Sequence, residues 1–181
     1  MKKTLVSLLL CVLVATVAAP AGAAPKLKTL GSDPSGDGVP GLDVTYLQVG
    51  RNGSDLEIRI GLEMLPQLAG FPDLPGIEWV FVANGRTFVA EAVKTAGGSA
   101  YYLFELIDGE FHQLEAPTGT YEGADGYASV LVPLETIGAR KGTVIAGAKG
   151  LENGDVDAHV HVGTVTHYPD GMQTTKTYVV P

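Results

Sequence analysis

The chain has 181 residues, a formal net charge of −8, a single cysteine, 24 glycines and 11 prolines. This length suits one domain rather than two. The excess of acidic side chains argues against nucleic-acid binding, because proteins that bind nucleic acids usually present a basic surface. Hydrophobic residues make up 45% of the chain, which excludes an intrinsically disordered protein.

Residues 1–23 have the pattern of a secretory signal peptide. A pair of lysines precedes the apolar stretch 5–17, and the small residues 21–23 follow as a cleavage site. The apolar stretch is too short for a membrane span of about 20 residues. We therefore expect residues 24–181 to form a secreted, extracellular domain with no membrane span. That domain would contain no cysteine, because Cys11 belongs to the leader.

Beyond the leader, apolar and polar residues alternate with a period of two, which predicts β-strands. The clearest case is 55–63, where the even positions are apolar and the odd positions are mostly polar. Turn residues such as Asn-Gly and Asp-Gly separate the strands. The predicted strands are, in chain order, 43–49, 55–63, 77–83, 87–93, 100–107, 111–114, 127–131, 143–148, 156–165 and 174–180.

Three further stretches complete this prediction. Residues 24–42 are polar and rich in Gly and Pro, so we expect an N-terminal loop. Residues 64–76 contain three prolines, which exclude a central strand, and Pro133–Gly138 is expected to form one helical turn. The spacing of the strands predicts an all-β fold, a single antiparallel β-sandwich with a jelly-roll-like strand arrangement.

Three aspartates, Asp33, Asp37 and Asp43, lie on the Gly/Pro-rich stretch that enters the first predicted strand. Carboxylates and bent backbone carbonyls are the ligands that Ca²⁺ prefers, although the spacing is not that of an EF-hand. The alternative is that these aspartates are ordinary turn and capping residues of an acidic protein. The pattern leaves both interpretations open.

A second cluster combines two carboxylates with two imidazoles. Asp155, Asp157, His159 and His161 occupy alternate positions of a predicted strand, with apolar residues between them. Alternate residues of a strand share a face about 7 Å apart, so the two imidazoles and a carboxylate can hold zinc or copper. A solvated strand face gives the same pattern and is the simpler interpretation.

Tyr101 is the aromatic candidate for ligand contact. Sugar-binding sandwiches stack sugar rings on an exposed Trp or Tyr, whose ring is apolar and whose edge is polar. Trp79 shares its strand face with Phe81, so we expect it in the core. Tyr102 shares its parity with Phe104, which leaves Tyr101 as the expected surface residue of the adjacent pair.

Four segments carry a resemblance to a known group of domains. They are Asp33-Pro-Ser-Gly-Asp37, Leu42-Asp43-Val-Thr, Ile77-Glu-Trp-Val-Phe and Val132-Pro-Leu-Glu-Thr-Ile-Gly138. The chain resembles secreted β-sandwich domains related to family 9 carbohydrate-binding modules and DOMON domains. The resemblance implies sugar or cofactor binding and a Ca²⁺ ion at Asp33, Asp37 and Asp43. This sequence departs from the pattern in lacking a second Trp.

The sequence contains no G-x-S-x-G, H-E-x-x-H or P-loop motif. We therefore expect a non-catalytic binding or accessory module, stabilised by calcium, whose ligand is an extracellular glycan or protein. One alternative is a protein that binds a transition metal, or a small metalloenzyme, that uses the His159 and His161 pair. A third hypothesis is a purely structural surface protein.

Overall fold

A computed structural model describes residues 25–33, 43–63, 75–95, 97–122, 126–148, 158–162, 170–172, 174 and 176–181. The strands are β1 (Lys28–Ser32), β2 (Val44–Asn52), β3 (Asp55–Leu62), β4 (Pro75–Ala83), β5 (Arg86–Thr95), β6 (Gly98–Ile107), β7 (Glu110–Gln113), β8 (Thr118–Glu122), β9 (Tyr127–Pro133), β10 (Val144–Gly147), β11 (Ala158–Val162), β12 (Asp170–Met172) and β13 (Thr177–Val179). Within these ranges no helix is long and apolar enough to cross a membrane.

The strands form two antiparallel sheets. The five-stranded sheet has the order β1-β2-β3-β9-β8, and the eight-stranded sheet has the path β12-β11-β4-β5-β6-β7, with β10 between β4 and β13. The two sheets are not closed into a barrel. The prediction of an all-β antiparallel sandwich is therefore confirmed.

The core lies between the two sheets and follows from the alternation along each strand. In β3 the side chains of Leu56, Ile58, Ile60 and Leu62 are at most 4% exposed, as the alternation predicted. The facing sheet contributes Trp79, which is fully buried and stacks on Phe81 at 4.8 Å. The position predicted for Trp79 is confirmed.

Three strands were absent from the sequence prediction. They are β1, β8 and β12, and each is an outermost strand on the path of its sheet. An edge strand needs few apolar residues of its own, because hydrogen bonds to one neighbour define it. In β1, for example, only Leu30 is buried, so period-two alternation gives no signal there.

The predicted helical turn at Pro133–Gly138 is instead a pair of hydrogen-bonded turns. The amide of Thr136 donates to the carbonyl of Pro133, and the amide of Gly138 donates to the carbonyl of Glu135. Gly138 then adopts a left-handed conformation with φ of 64°, which glycine adopts without steric cost. The segment turns the chain out of β9 and into the loop before β10.

Candidate functional site

The outer side of the five-stranded sheet carries a group of aromatic and charged side chains. This surface, the Tyr46 face, comprises Tyr46, Gln48, Glu57, Arg59 and Tyr127. Its members alternate along β2, β3 and β9 with the buried residues of the core. The register brings them together, because Tyr46 lies opposite Gly61 and Gln48 lies opposite Arg59. On the other side of β3, Gly61 lies opposite Tyr127.

The Tyr46 ring rests on the backbone of Gly61. A β-carbon built on Gly61 would meet three consecutive ring atoms, Cδ1, Cε1 and Cζ, at short distances that differ by only a few tenths of an ångström. An edge-on ring would place one of these atoms much nearer than the others, so Gly61 meets the flat face of the ring. Only glycine leaves room for this packing. Tyr46 is half-buried, so the ring is held parallel to the sheet and is partly open to solvent.

Arg59 and Glu57 form an ion pair beside this ring. The guanidinium Nη2 donates to Oε1 of Glu57 at 2.8 Å, and Asn52 Nδ2 donates to Oε2 at 3.1 Å. Both oxygens of Glu57 are therefore hydrogen-bonded, which compensates for a carboxylate that is only 4% exposed. The guanidinium carbon of Arg59 also lies 4.3 Å from the centre of the Tyr127 ring, a cation–π contact.

These contacts hold the guanidinium in one orientation, while Nε of Arg59 makes no hydrogen bond with the described part of the chain. Two neighbouring strands lie about 4.8 Å apart, so the Tyr46 and Tyr127 positions flank Gly61 at about 10 Å from each other. The surface thus combines a flat apolar ring with the fixed guanidinium of Arg59. That combination suits a ligand with apolar C–H faces and hydroxyl groups.

The structure brings two of the predicted calcium ligands to one end of the sandwich. Asp33 follows β1, and its amide donates to the carbonyl of Thr45 at 3.0 Å. Asp43 precedes β2, is only 1% exposed, and its carbonyl accepts from the amide of Glu63. Asp37 lies outside the described residues. The segment that joins Asp33 to Asp43 therefore begins and ends at the same end of the five-stranded sheet.

Most of the predicted histidine cluster lies outside the residues that the structure describes. Asp155 and Asp157 lie in a segment that is not described, and the side chains of His159 and His161 are not described either. The backbone register of β11 places His159 opposite Glu78, and β4 in turn places Glu78 opposite Glu91. Among the side chains that are described, no three of His, Cys, Asp or Glu form a group suited to a metal ion.

Tyr101 lies on the inner side of its sheet, where it packs against the main core. The structure thus differs from the expectation that Tyr101, rather than Tyr102, points outward. Tyr102 stacks on Phe104 at 6.0 Å, and Phe104 packs on the outer side of the sheet. The Tyr101 ring covers Gly119, a contact between the two sheets that the shared parity of Tyr102 and Phe104 cannot reveal.

A neighbouring tyrosine shares this environment. Burial raises the pKa of Tyr121, and the nearby Tyr101 hydroxyl adds to that rise. Lys94 Nζ lies 5.6 Å from the centre of the Tyr121 ring. The two tyrosines and the lysine close one end of the space between the sheets, so Tyr101 has a packing role irrespective of any ligand.

The sequence reasoning did not single out Tyr46, Gln48 or Arg59. The alternation did place Glu57 and Arg59 on the side of the strand that faces away from the core, and that orientation is confirmed, although Glu57 is buried there rather than solvated. The alternation within one strand does not give the register between strands, and it is the register of β2 and β3 that places Tyr46 opposite Gly61. A glycine at a regular position of a strand, outside any turn, is the available signal, since it marks a close approach.

No protein family, curated protein or solved structure matches this chain.

Proposed function

We propose that this protein is a secreted, non-catalytic binding module that holds an extracellular glycan on the Tyr46 face. The observation that carries the proposal is the Tyr46 ring, which lies flat over Gly61 beside the fixed Arg59–Glu57 pair. A pyranose ring presents an apolar C–H face to an aromatic ring and hydroxyls to charged side chains. Secretion follows from the leader pattern of residues 1–23.

The resemblance to carbohydrate-binding modules supports the same conclusion. The sugar-binding residue of this proposal is Tyr46 rather than Tyr101, because Tyr101 packs against the core whereas Tyr46 lies on the outer side of the opposite sheet. A protein ligand would require a larger contact surface, on the order of 800 Å² on each partner. The Tyr46 face combines a few directional polar groups with one aromatic platform, which is the composition of a small-ligand site.

The test is a glycan array with the secreted protein, followed by calorimetry on the best neutral oligosaccharide. Tyr46→Ala should lower the affinity by about tenfold or more, because it removes the stacking surface. Tyr102→Ala is the matched control, since Tyr102 is equally half-buried on the other sheet and should bind like the wild type. An array without hits, or equal binding by Tyr46→Ala, would refute the glycan hypothesis and favour a structural surface protein.

We further propose that a Ca²⁺ ion fixes the segment between Asp33 and Asp43. The positions of Asp33 and Asp43 support this proposal, because the amide of Asp33 donates to the carbonyl of Thr45 and Asp43 immediately precedes β2, so both aspartates lie at the same end of the sheet. Asp33 and Asp37 would supply further oxygen ligands. The ion would then anchor the start of β2, two residues before Tyr46.

A thermal scan with EDTA and with added Ca²⁺ tests this proposal. The midpoint should rise with Ca²⁺ in the wild type, by mass action, and should not respond in Asp43→Asn. Asp55→Asn is the control, because Asp55 begins β3 at the opposite end of the sandwich. A wild-type midpoint that ignores both EDTA and Ca²⁺ would remove calcium from the proposal.

A second candidate function is transition-metal binding on β11. The observation that favours it is the row of register positions His159, Glu78 and Glu91 across three neighbouring strands, since positions in register lie about 5 Å apart. Imidazole and carboxylate are ligands for zinc and copper. Loss of Zn²⁺ or Cu²⁺ binding in His159→Ala, but not in His112→Ala, would support it. Unaltered binding in His159→Ala would exclude this site.

A further inference from the structure

A groove of about 590 Å³ lies on the eight-stranded sheet, away from the Tyr46 face. One wall is the loop 140–143, and the other is the Asn84-Gly85 turn between β4 and β5. Its floor is apolar and includes Val82 and Val144, of which Val144 is 50% exposed. This volume lies within the range of about 300–1,000 Å³ that is typical of small-ligand sites.

The walls of the groove are held together by hydrogen bonds. Asn84 Nδ2 donates to the carbonyl of Gly138 at 2.7 Å, and the Thr143 hydroxyl donates to Asn84 Oδ1 at 3.5 Å. The amide of Arg140 donates to the same hydroxyl at 3.0 Å. In addition, the amide of Gly142 donates to the carbonyl of Val180. The loop that presents Arg140 and Lys141 is therefore fixed in place before any ligand arrives.

The rim of the groove carries two cations that form no ion pair with another described residue. Arg140 and Lys141 are both exposed, and neither forms an ion pair in the part of the chain that the structure describes. Arg86, on the next strand, illustrates the contrast, because it is paired with Glu105. A planar guanidinium beside an ammonium suits a carboxylate, a sulfate or a phosphate.

We propose that this groove is a second ligand site, and that it takes a carboxylate-bearing sugar, a uronate. The carboxylate would lie against Arg140 and Lys141, and the apolar face of the sugar ring would lie on Val82 and Val144. The apolar floor is the reason to prefer a uronate to a bare anion, which would gain nothing from it. The choice of a sugar rests on the proposed function, whereas the anion preference stands on the groove alone.

The test follows backbone amide resonances by NMR while a tri-galacturonate, its neutral counterpart galactotriose, sulfate and phosphate are titrated in turn. The uronide should shift the amides of Gly142 and Thr143, and galactotriose should not. The double variant Arg140→Gln/Lys141→Gln should lose about ten- to hundredfold in affinity, since it removes hydrogen bonds between charged groups. The double variant Lys26→Gln/Lys176→Gln removes the same charge from exposed sites elsewhere and should bind like the wild type.

Three results would overturn the inference. An affinity for sulfate or phosphate equal to that for the uronide would show a plain anion site. If no amide resonance in the groove shifts, the groove binds no uronide. Equal losses of uronide affinity in both double variants would show only an effect of net charge. Tyr46→Ala separates this inference from the proposed function. Uronide binding in the groove should persist in that variant, and a uronide that shifts only the Gly61 amide would refute the groove while leaving the Tyr46 face intact.

Discussion

Gly61→Ala provides the most direct test of how the Tyr46 face is built. The added β-carbon would lie 2.5 Å from Cδ1 of Tyr46 and closer still to Cε1 and Cζ. Carbon atoms in contact lie about 3.5–4.0 Å apart, so the ring would have to move by about 1 Å or more. Because Tyr46 is half-buried, it can swing toward solvent, but it then loses its contact with the sheet.

Two opposing effects set the size of this change. Overpacking typically costs about 1–3 kcal/mol, and replacing glycine in a strand returns about 0.5–1 kcal/mol. We therefore expect Gly61→Ala to lower the free energy of unfolding by about 1 kcal/mol. For a chain of this size that corresponds to roughly 2–4 °C in the melting midpoint. Glycan binding should fall with it, because the stacking surface is displaced.

The assay is urea unfolding of the wild type, Gly61→Ala, Tyr46→Ala and the double variant. The double variant should show a favourable coupling, since removing the ring removes the three short contacts of the added methyl group. Gly97→Ala is the control, because a β-carbon there would have no atom within 4 Å, and its stability should be unchanged or slightly raised. A Gly61→Ala protein as stable as the wild type, with no coupling to Tyr46, would refute the packing argument.

Three further predictions concern the core and the titrating groups. Trp79→Ala should lower the free energy of unfolding by about 3–5 kcal/mol. Trp79→Phe should lower it by clearly less, because this substitution also removes a buried Nε1 that makes no hydrogen bond in the described structure. Chemical denaturation measures both effects. The hydrogen bond from Arg86 lowers the pKa of Glu105. The stabilisation that this pair gives the fold is therefore fully present above the usual carboxyl pKa, and it is lost as the pH falls through the lowered value. On acidification, the melting midpoint of the wild type should drop by more than that of Glu105→Gln. Burial raises the pKa of Tyr121, so this phenol should remain neutral in the folded protein after exposed tyrosines ionise. In an ultraviolet pH titration, Tyr121→Phe should therefore remove a tyrosine from the group that ionises late. Loss of a tyrosine that ionises early would contradict the assignment.

The central strands could be predicted from the sequence because each carries its own evidence. In β3, four buried apolar residues alternate with Asp55, Glu57, Arg59 and Gly61, whereas the run of β4 is apolar on both faces except at Glu78. Such alternation is a local property, since the side chains of a strand point to opposite faces in turn. The edge strands β1, β8 and β12 lack it, because their position depends on pairing with a neighbour.

The candidate sites depend on contacts that no local pattern encodes. The sequence determined the all-β fold class, its turns, its buried Trp79 and the polar side of β3. The tertiary structure decided that Tyr46 meets Gly61 across the ladder and that Tyr101 faces the core. It also brought the Asn84 turn, 54 residues before Gly138 along the chain, against the loop that carries Arg140. The physical reason is that strand register and turn-to-turn contacts are long-range properties, set by which strands pair and how the two sheets pack.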